Sequence, residues 1–128
     1  MIITPTAYQV LGNAQEYAEQ MQNAFVTPEH VLYSISLDGE TRDVLYRMGL
    51  DVCQVQRVLV QFLDALDNDS SGHIKLSSNL QLALELAMGI VSSSASTIVD
   101  IPQILQGISC LNNSLAGFLL NKYALKKK

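Results

Sequence analysis

The sequence predicts an all-α protein: a tandem, pseudo-twofold duplication of a four-helix unit whose last helix is short or missing. Three observations carry that expectation. Apolar residues return at spacings of three and four in one segment after another. Capping signals open those segments. The two halves of the chain match when one is slid along the other by 73 residues.

The first element opens at Thr4-Pro5, an N-cap followed by proline at the first helical position, where the missing N–H would have no helical partner anyway. Behind it Ala7, Val10, Leu11, Ala14, Ala18 and Met21 form one apolar stripe. Thr27-Pro28 repeats the device ahead of Val31, Leu32 and Ile35. A short third helix carries Val44, Leu45 and Met48 and stops at Gly49, which can take a left-handed cap. Asp51 then caps a fourth, with Val55, Val58, Leu59, Phe62, Leu63 and Leu66 inward.

Residues 67–72, DNDSSG, are a polar turn cluster and the one clear linker. Beyond Ser77, a fifth helix carries Leu80, Ala83, Leu84 and Ala87, and Ser92 to Ser96 breaks it. Asp100 caps a sixth through Ile104, Leu105 and Ile108, with Pro102 tolerated in its first turn. A seventh carries Leu115, Phe118, Leu119 and Leu120.

The 73-residue shift pairs Leu11 with Leu84, Ala14 with Ala87, Val26 with Val99, Leu32 with Leu105, Ile35 with Ile108 and Ser36 with Ser109. Most other core positions exchange one apolar type for another. A single domain follows, with repeat one at about 1–66, a linker at 67–76 and repeat two at about 77–128. After a two-residue slip Ala124-Leu125 match Gly49-Leu50, so an eighth helix would begin where the chain ends.

Composition narrows the function. With 48% hydrophobic and 16% charged residues, 128 residues suffice for a buried core without staples. A net charge of -4 argues against a nucleic-acid surface, which needs clustered Lys and Arg; Lys126-Lys127-Lys128 reads as a solvated tail. The N-terminus lacks the basic and apolar regions of a signal peptide, and no apolar run approaches ~18 residues, so neither export nor a membrane span is expected. Cys53 and Cys110 could form one disulfide, but small buried hydrophobes in a reducing compartment is the preferred reading, and cytoplasm the expected location.

Thr27-Pro28-Glu29-His30-Val31-Leu32 matches T-x-E-H-[LIV]-L, and 44–51, VLYRMGLD, matches the L-x-x-x-G-[VI]-D segment that follows it in the Clp repeat. In repeat two, 118–123, FLLNKY, is similar to the corresponding segment of the ClpA-like branch. The chain therefore resembles the Clp repeat N-terminal domain of Clp-type AAA+ unfoldases (ClpA-, ClpB- or ClpC-like, or ClpV-like). The resemblance implies a substrate- or adaptor-binding domain that delivers protein clients, or a ClpS-like adaptor's cargo, to ATPase rings and a partner Clp-type protease. The ClpV-like alternative is recognition of a contractile secretion-sheath helix. ATP would belong only to the rest of such a parent, because no G-x-x-x-x-G-K-[ST] motif is present. No cofactor is expected here. In relatives that bind phosphorylated arginine, the Glu of each repeat's E-H pair is thought to hold the guanidinium. Glu29 supplies that carboxylate in repeat one, whereas Pro102 and Gln103 stand where repeat two would carry the pair.

The residues expected to meet a partner are Thr27, Glu29 and His30, with Asp100 and Gln103 at the start of the equivalent helix. Glu29 also has a sufficient structural role, as a carboxylate near a helix N-terminus. No catalytic residue is assigned: His30 and His73 are the only histidines, and no serine or cysteine groups with one and a carboxylate in sequence. No metal site is assigned either. Asp67, Asp69, Ser71 and Gly72 fit the opening of an EF-hand loop, but Ser78 stands where the bidentate Glu belongs.

Overall fold

A computed structural model of the chain describes residues 2–66, 74–93, 98–111 and 113–122, with backbone alone at 90–93. Seven helices appear among them: α1 (Pro5–Gln20), α2 (Pro28–Leu37), α3 (Gly39–Arg47), α4 (Val52–Asp64), α5 (Ser78–Ser93), α6 (Ile101–Ser109) and α7 (Leu115–Lys122). Adding 73 to both bounds of α1 gives both bounds of α5, and adding it to the start of α2 gives the start of α6.

The expected caps are in place. Thr4 Oγ1 accepts from Ala7 N–H at 3.1 Å, and Asp51 Oδ1 from Gln54 N–H at 3.3 Å. Helix α3 ends in a Schellman motif with Gly49 at φ 84°: its N–H donates to Tyr46 C=O and that of Leu50 to Leu45 C=O. The same motif ends α1, where Gln22 N–H donates to Glu19 C=O and Asn23 N–H to Ala18 C=O, but the left-handed residue is Gln22 at φ 58°. A side chain there is strained. Replacing Gln22 by glycine is therefore expected to stabilise the fold by ~0.5–1 kcal/mol in urea unfolding.

The sequence reading contains no strands, and the structure adds four of two residues each: β1 (Ile2–Ile3), β2 (Phe25–Val26), β3 (Lys75–Leu76) and β4 (Ile98–Val99). They pair in parallel across the two halves, Ile2 with Ile98 and Ile3 with Val99, then Phe25 with Lys75 and Val26 with Leu76. The two ribbons are related by the same 73-residue offset. Two-residue strands show no alternation to read, and β3 lies inside the span assigned to the linker. Each half thus supplies one strand to the other's ribbon.

One apolar cluster draws on both halves, with Ala14 and Ala87, Val31 and Ile104, Leu32 and Leu105, and Ile35 and Ile108 all buried in matched pairs. The cross-contacts are matched too: α2 packs on α7, and α3 on α6. Helix α4 packs on α2 and α3. An eighth helix beginning near Ala124 falls outside the described residues, as do the EF-hand-like positions 67–72, His73 and Ser94 to Ser96. Among the described residues no helix is long and apolar enough to cross a membrane.

Three burial expectations are corrected. Met48 and Phe118, read as inward, are 40% and 55% exposed. Phe118 instead lies under the Lys122 ammonium, 5.4 Å from its ring centre, a cation–π contact at the surface. Cys53 and Cys110 are both exposed free thiols rather than small core residues.

Candidate functional site

The T-P-E-H segment folds into a closed capping arrangement. Thr27 caps α2: its Oγ1 accepts from His30 N–H at 3.3 Å, and its own N–H donates to His30 Nδ1 at 3.0 Å. Because Nδ1 accepts, the ring proton sits on Nε2, which donates to Asn23 Oδ1 at 2.9 Å. His30 is therefore the side-chain half of a capping box, tied back to the loop after α1, and it is fully buried. That corrects its expected place on a partner surface. Burial pushes its pKa down to about 4, against a smaller upward pull from Glu29.

The linkage sign follows from that depression. The folded state holds a neutral ring while the unfolded chain protonates near pH 6.5, so the ring's contribution is complete above pH 6.5 and lost as pH falls toward 4. The shift corresponds to ~3 kcal/mol across that window. His30→Gln, which copies the capping residue Gln103, should flatten the wild-type stability slope between pH 6.5 and 4 in chemical denaturation. Parallel slopes for the two proteins would refute the buried neutral ring.

Glu29 points away from its own helix. Its Oε2 accepts from Ser114 Oγ–H at 2.9 Å and from Ala116 N–H at 2.8 Å, so a carboxylate from the first half caps α7 in the second. It is 5% exposed. Glu29 thus ties the two halves together while also lining the cleft beside it.

In the second half Asp100 and Gln103 form the equivalent box: Gln103 Oε1 accepts from Asp100 N–H at 2.9 Å, and Asp100 Oδ1 from Ile101 N–H at 2.8 Å. Thr4 Oγ1–H also donates to Asp100 Oδ1 at 2.7 Å, joining the caps of α1 and α6. Thr27, Glu29 and His30 come together, whereas Asp100 and Gln103 belong to the other pair of caps.

Beside Thr27 and Glu29 a cleft of about 410 Å³ opens where the N-termini of α2, α5 and α7 converge. Ser77, Ser78, Asn79 and Asn113 supply hydroxyls and amides to its wall, and Pro28, Phe62 of α4 and Leu115 supply apolar surface. Asp100 and Gln103 do not line it. Such a wall can donate and accept hydrogen bonds. Both His30 nitrogens are already engaged, so the ring is in no position to activate a nucleophile. Among the described residues no group of three or more His, Cys, Asp or Glu could hold a metal ion.

The family of the Clp repeat (R) N-terminal domain matches residues 2–123. The chain belongs to that family. It is 29% identical over 120 residues to the chaperone protein ClpB of Rhodopirellula baltica, covering 91% of this chain and 14% of that protein. The Clp domain here thus spans about a seventh of that relative's length. In fold it is similar to the Hsp104 N-terminal domain from Candida albicans, with a TM-score of 0.82 at 17% identity, over 98% of this chain and 84% of that one. It is also similar to the N-terminal domain of the ClpV1 ATPase from the E. coli EAEC Sci1 T6SS, with a TM-score of 0.80 at 18% identity, over 94% and 77% of the two chains.

Sequence reasoning located one wall of the cleft and missed the rest. Ser77 and Ser114 each precede a helix and carried a capping signal that could have been read; Ser77 Oγ accepts from Leu80 N–H at 3.1 Å. Asn79, Asn113 and Phe62 had no signal, because only the packing of the two halves brings them to Thr27.

Proposed function

We propose that this domain is the docking module of a Clp/Hsp100-type ATPase, holding protein clients or a ClpS-like adaptor at the cleft between α2, α5 and α7 for delivery to cytoplasmic ATPase rings and a partner protease. The observation that supports this reading is the cleft itself, a concavity at three helix starts whose apolar lining from Pro28, Phe62 and Leu115 is interleaved with polar side chains and tied together by Glu29 and the caps. Recognition needs no reacting group.

Filling the cleft tests it. Asn113 and Asn79 line the cleft and have no side-chain hydrogen bond to another described residue, so Asn113→Trp and Asn79→Trp should each weaken adaptor or client binding about tenfold or more while leaving the melting temperature near wild type. Unchanged affinity by calorimetry in both variants would remove the cleft from the docking function.

A further inference from the structure

The capping box at Thr27 leaves one end of the Asn23 amide unused. Thr27 N–H donates to His30 Nδ1, so Nε2 carries the ring proton and donates to Asn23 Oδ1. That fixes which way round the Asn23 amide stands. Its Nδ2 has no hydrogen-bond partner, the one such buried side-chain nitrogen or oxygen among the described residues. Native folds rarely leave a buried donor unmatched. Asn23 is 3% exposed and is held in place, with Oδ1 on His30 and its backbone N–H donating to Ala18 C=O at 2.9 Å.

Asn23 also lines a mainly apolar cavity of about 280 Å³, together with Ala24, Phe25, Thr27 and Leu66. Thr27 is shared with the wall of the cleft, and the other four residues are not. An apolar cavity of about 150 Å³ holds benzene, so this one has room for a single ring with a short substituent. Phe25 is half exposed and can change rotamer to admit it.

The surroundings select the charge of an occupant. Helices α1 and α4 both end beside the cavity, at Gln20 and Asp64, and the C-terminal ends of helices disfavour an anion. Among the described residues no Lys or Arg lines it. An ammonium group brings no acceptor for Asn23. A neutral oxygen is what remains.

We infer that this cavity is a binding site for a small uncharged molecule whose carbonyl oxygen accepts from Asn23 Nδ2 while its apolar body lies against Phe25 and Leu66. Shielded from water, the donor gains more from such an acceptor than it would at an open surface.

Nuclear magnetic resonance of the whole chain tests the site. Acetophenone, a one-ring ketone, is titrated into isotopically labelled protein, and the Asn23 side-chain amide and the Phe25 backbone amide are followed. Both signals should shift and saturate. Isopropenylbenzene, which has a methylene in place of the carbonyl oxygen, should bind about tenfold more weakly, as should benzoate and phenylethylammonium. Asn23→Asp keeps the acceptor for His30 and removes the donor, so acetophenone and isopropenylbenzene should bind that variant alike. Leu66→Trp fills the cavity from its half-buried rim and should abolish binding however Asn23→Asp folds, with a thermal melt confirming the fold. Asn113→Trp lies in the cleft and should leave acetophenone binding unchanged. No saturable shift, equal affinity of the wild type for acetophenone and isopropenylbenzene, or tighter binding of either ion would overturn the inference. Loss of binding in Asn113→Trp would place the ligand in the cleft and overturn it as well. Each of these outcomes leaves the docking reading standing, because that reading is tested on clients and adaptors at the other wall of Thr27.

Discussion

Replacing Gly107 by alanine is expected to destabilise the domain by about 3 kcal/mol despite alanine's better helix propensity. A Cβ at Gly107 would lie 2.2 Å from Ala83 O and 3.2 Å from Ala87 N, both backbone atoms of α5. Neither can rotate aside as a side chain can, so α5 and α6 would have to separate and surrender contacts along their shared core face, including those of Leu80, Ala83, Ile104 and Ile108. The equivalent residue of the first half is Ser34, which is buried with its hydroxymethyl group accommodated, so close approach is a property of the second helix pair alone. Gly12→Ala is the control: nothing lies within 4 Å of its Cβ position, and it should gain up to about 1 kcal/mol. Urea unfolding of both variants decides the matter, since a Gly107→Ala protein within about 0.5 kcal/mol of wild type would mean the backbones are not in contact.

Charge reversal at Glu29 should be at least as damaging. Glu29→Lys removes the acceptor of Ser114 Oγ–H and Ala116 N–H and sets an ammonium against the N-termini of α2 and α7, whose dipoles favour a negative group. An unpaired buried charge of this kind costs about 3–5 kcal/mol. Glu29→Gln keeps an oxygen acceptor and is expected to retain most of the stability. Equal melting temperatures for wild type and Glu29→Lys would show that the tie between the halves carries no weight. The prediction also sets the order of experiments on docking, because loss of binding in Glu29→Lys would report on folding as much as on contact.

The helices and their caps were legible because each rests on information within one turn. Thr4, Thr27, Asp51 and Asp100 cap where a short polar side chain precedes a periodic apolar run, and Gly49 ends α3 where only a left-handed residue fits. Phe118 misled the reading, since its spacing places it with Leu115 and the missing information was which helix would cover that face. The cysteines misled it for a similar reason: small residues are often buried, but Cys53 and Cys110 fall on faces that nothing among the described residues covers.

From the amino acids alone came the all-helical class, the capped helix starts at Thr4, Thr27, Asp51 and Asp100 and the recurrence of one pattern after 73 residues, because periodicity and capping act over distances shorter than a helix. Tertiary structure alone decided that Glu29 reaches α7, that His30 faces Asn23, that the halves exchange strands, and that a cleft opens where the starts of α2, α5 and α7 meet. These contacts join residues up to 96 positions apart, and no local pattern encodes which of two equivalent faces a side chain will find when the halves close on each other.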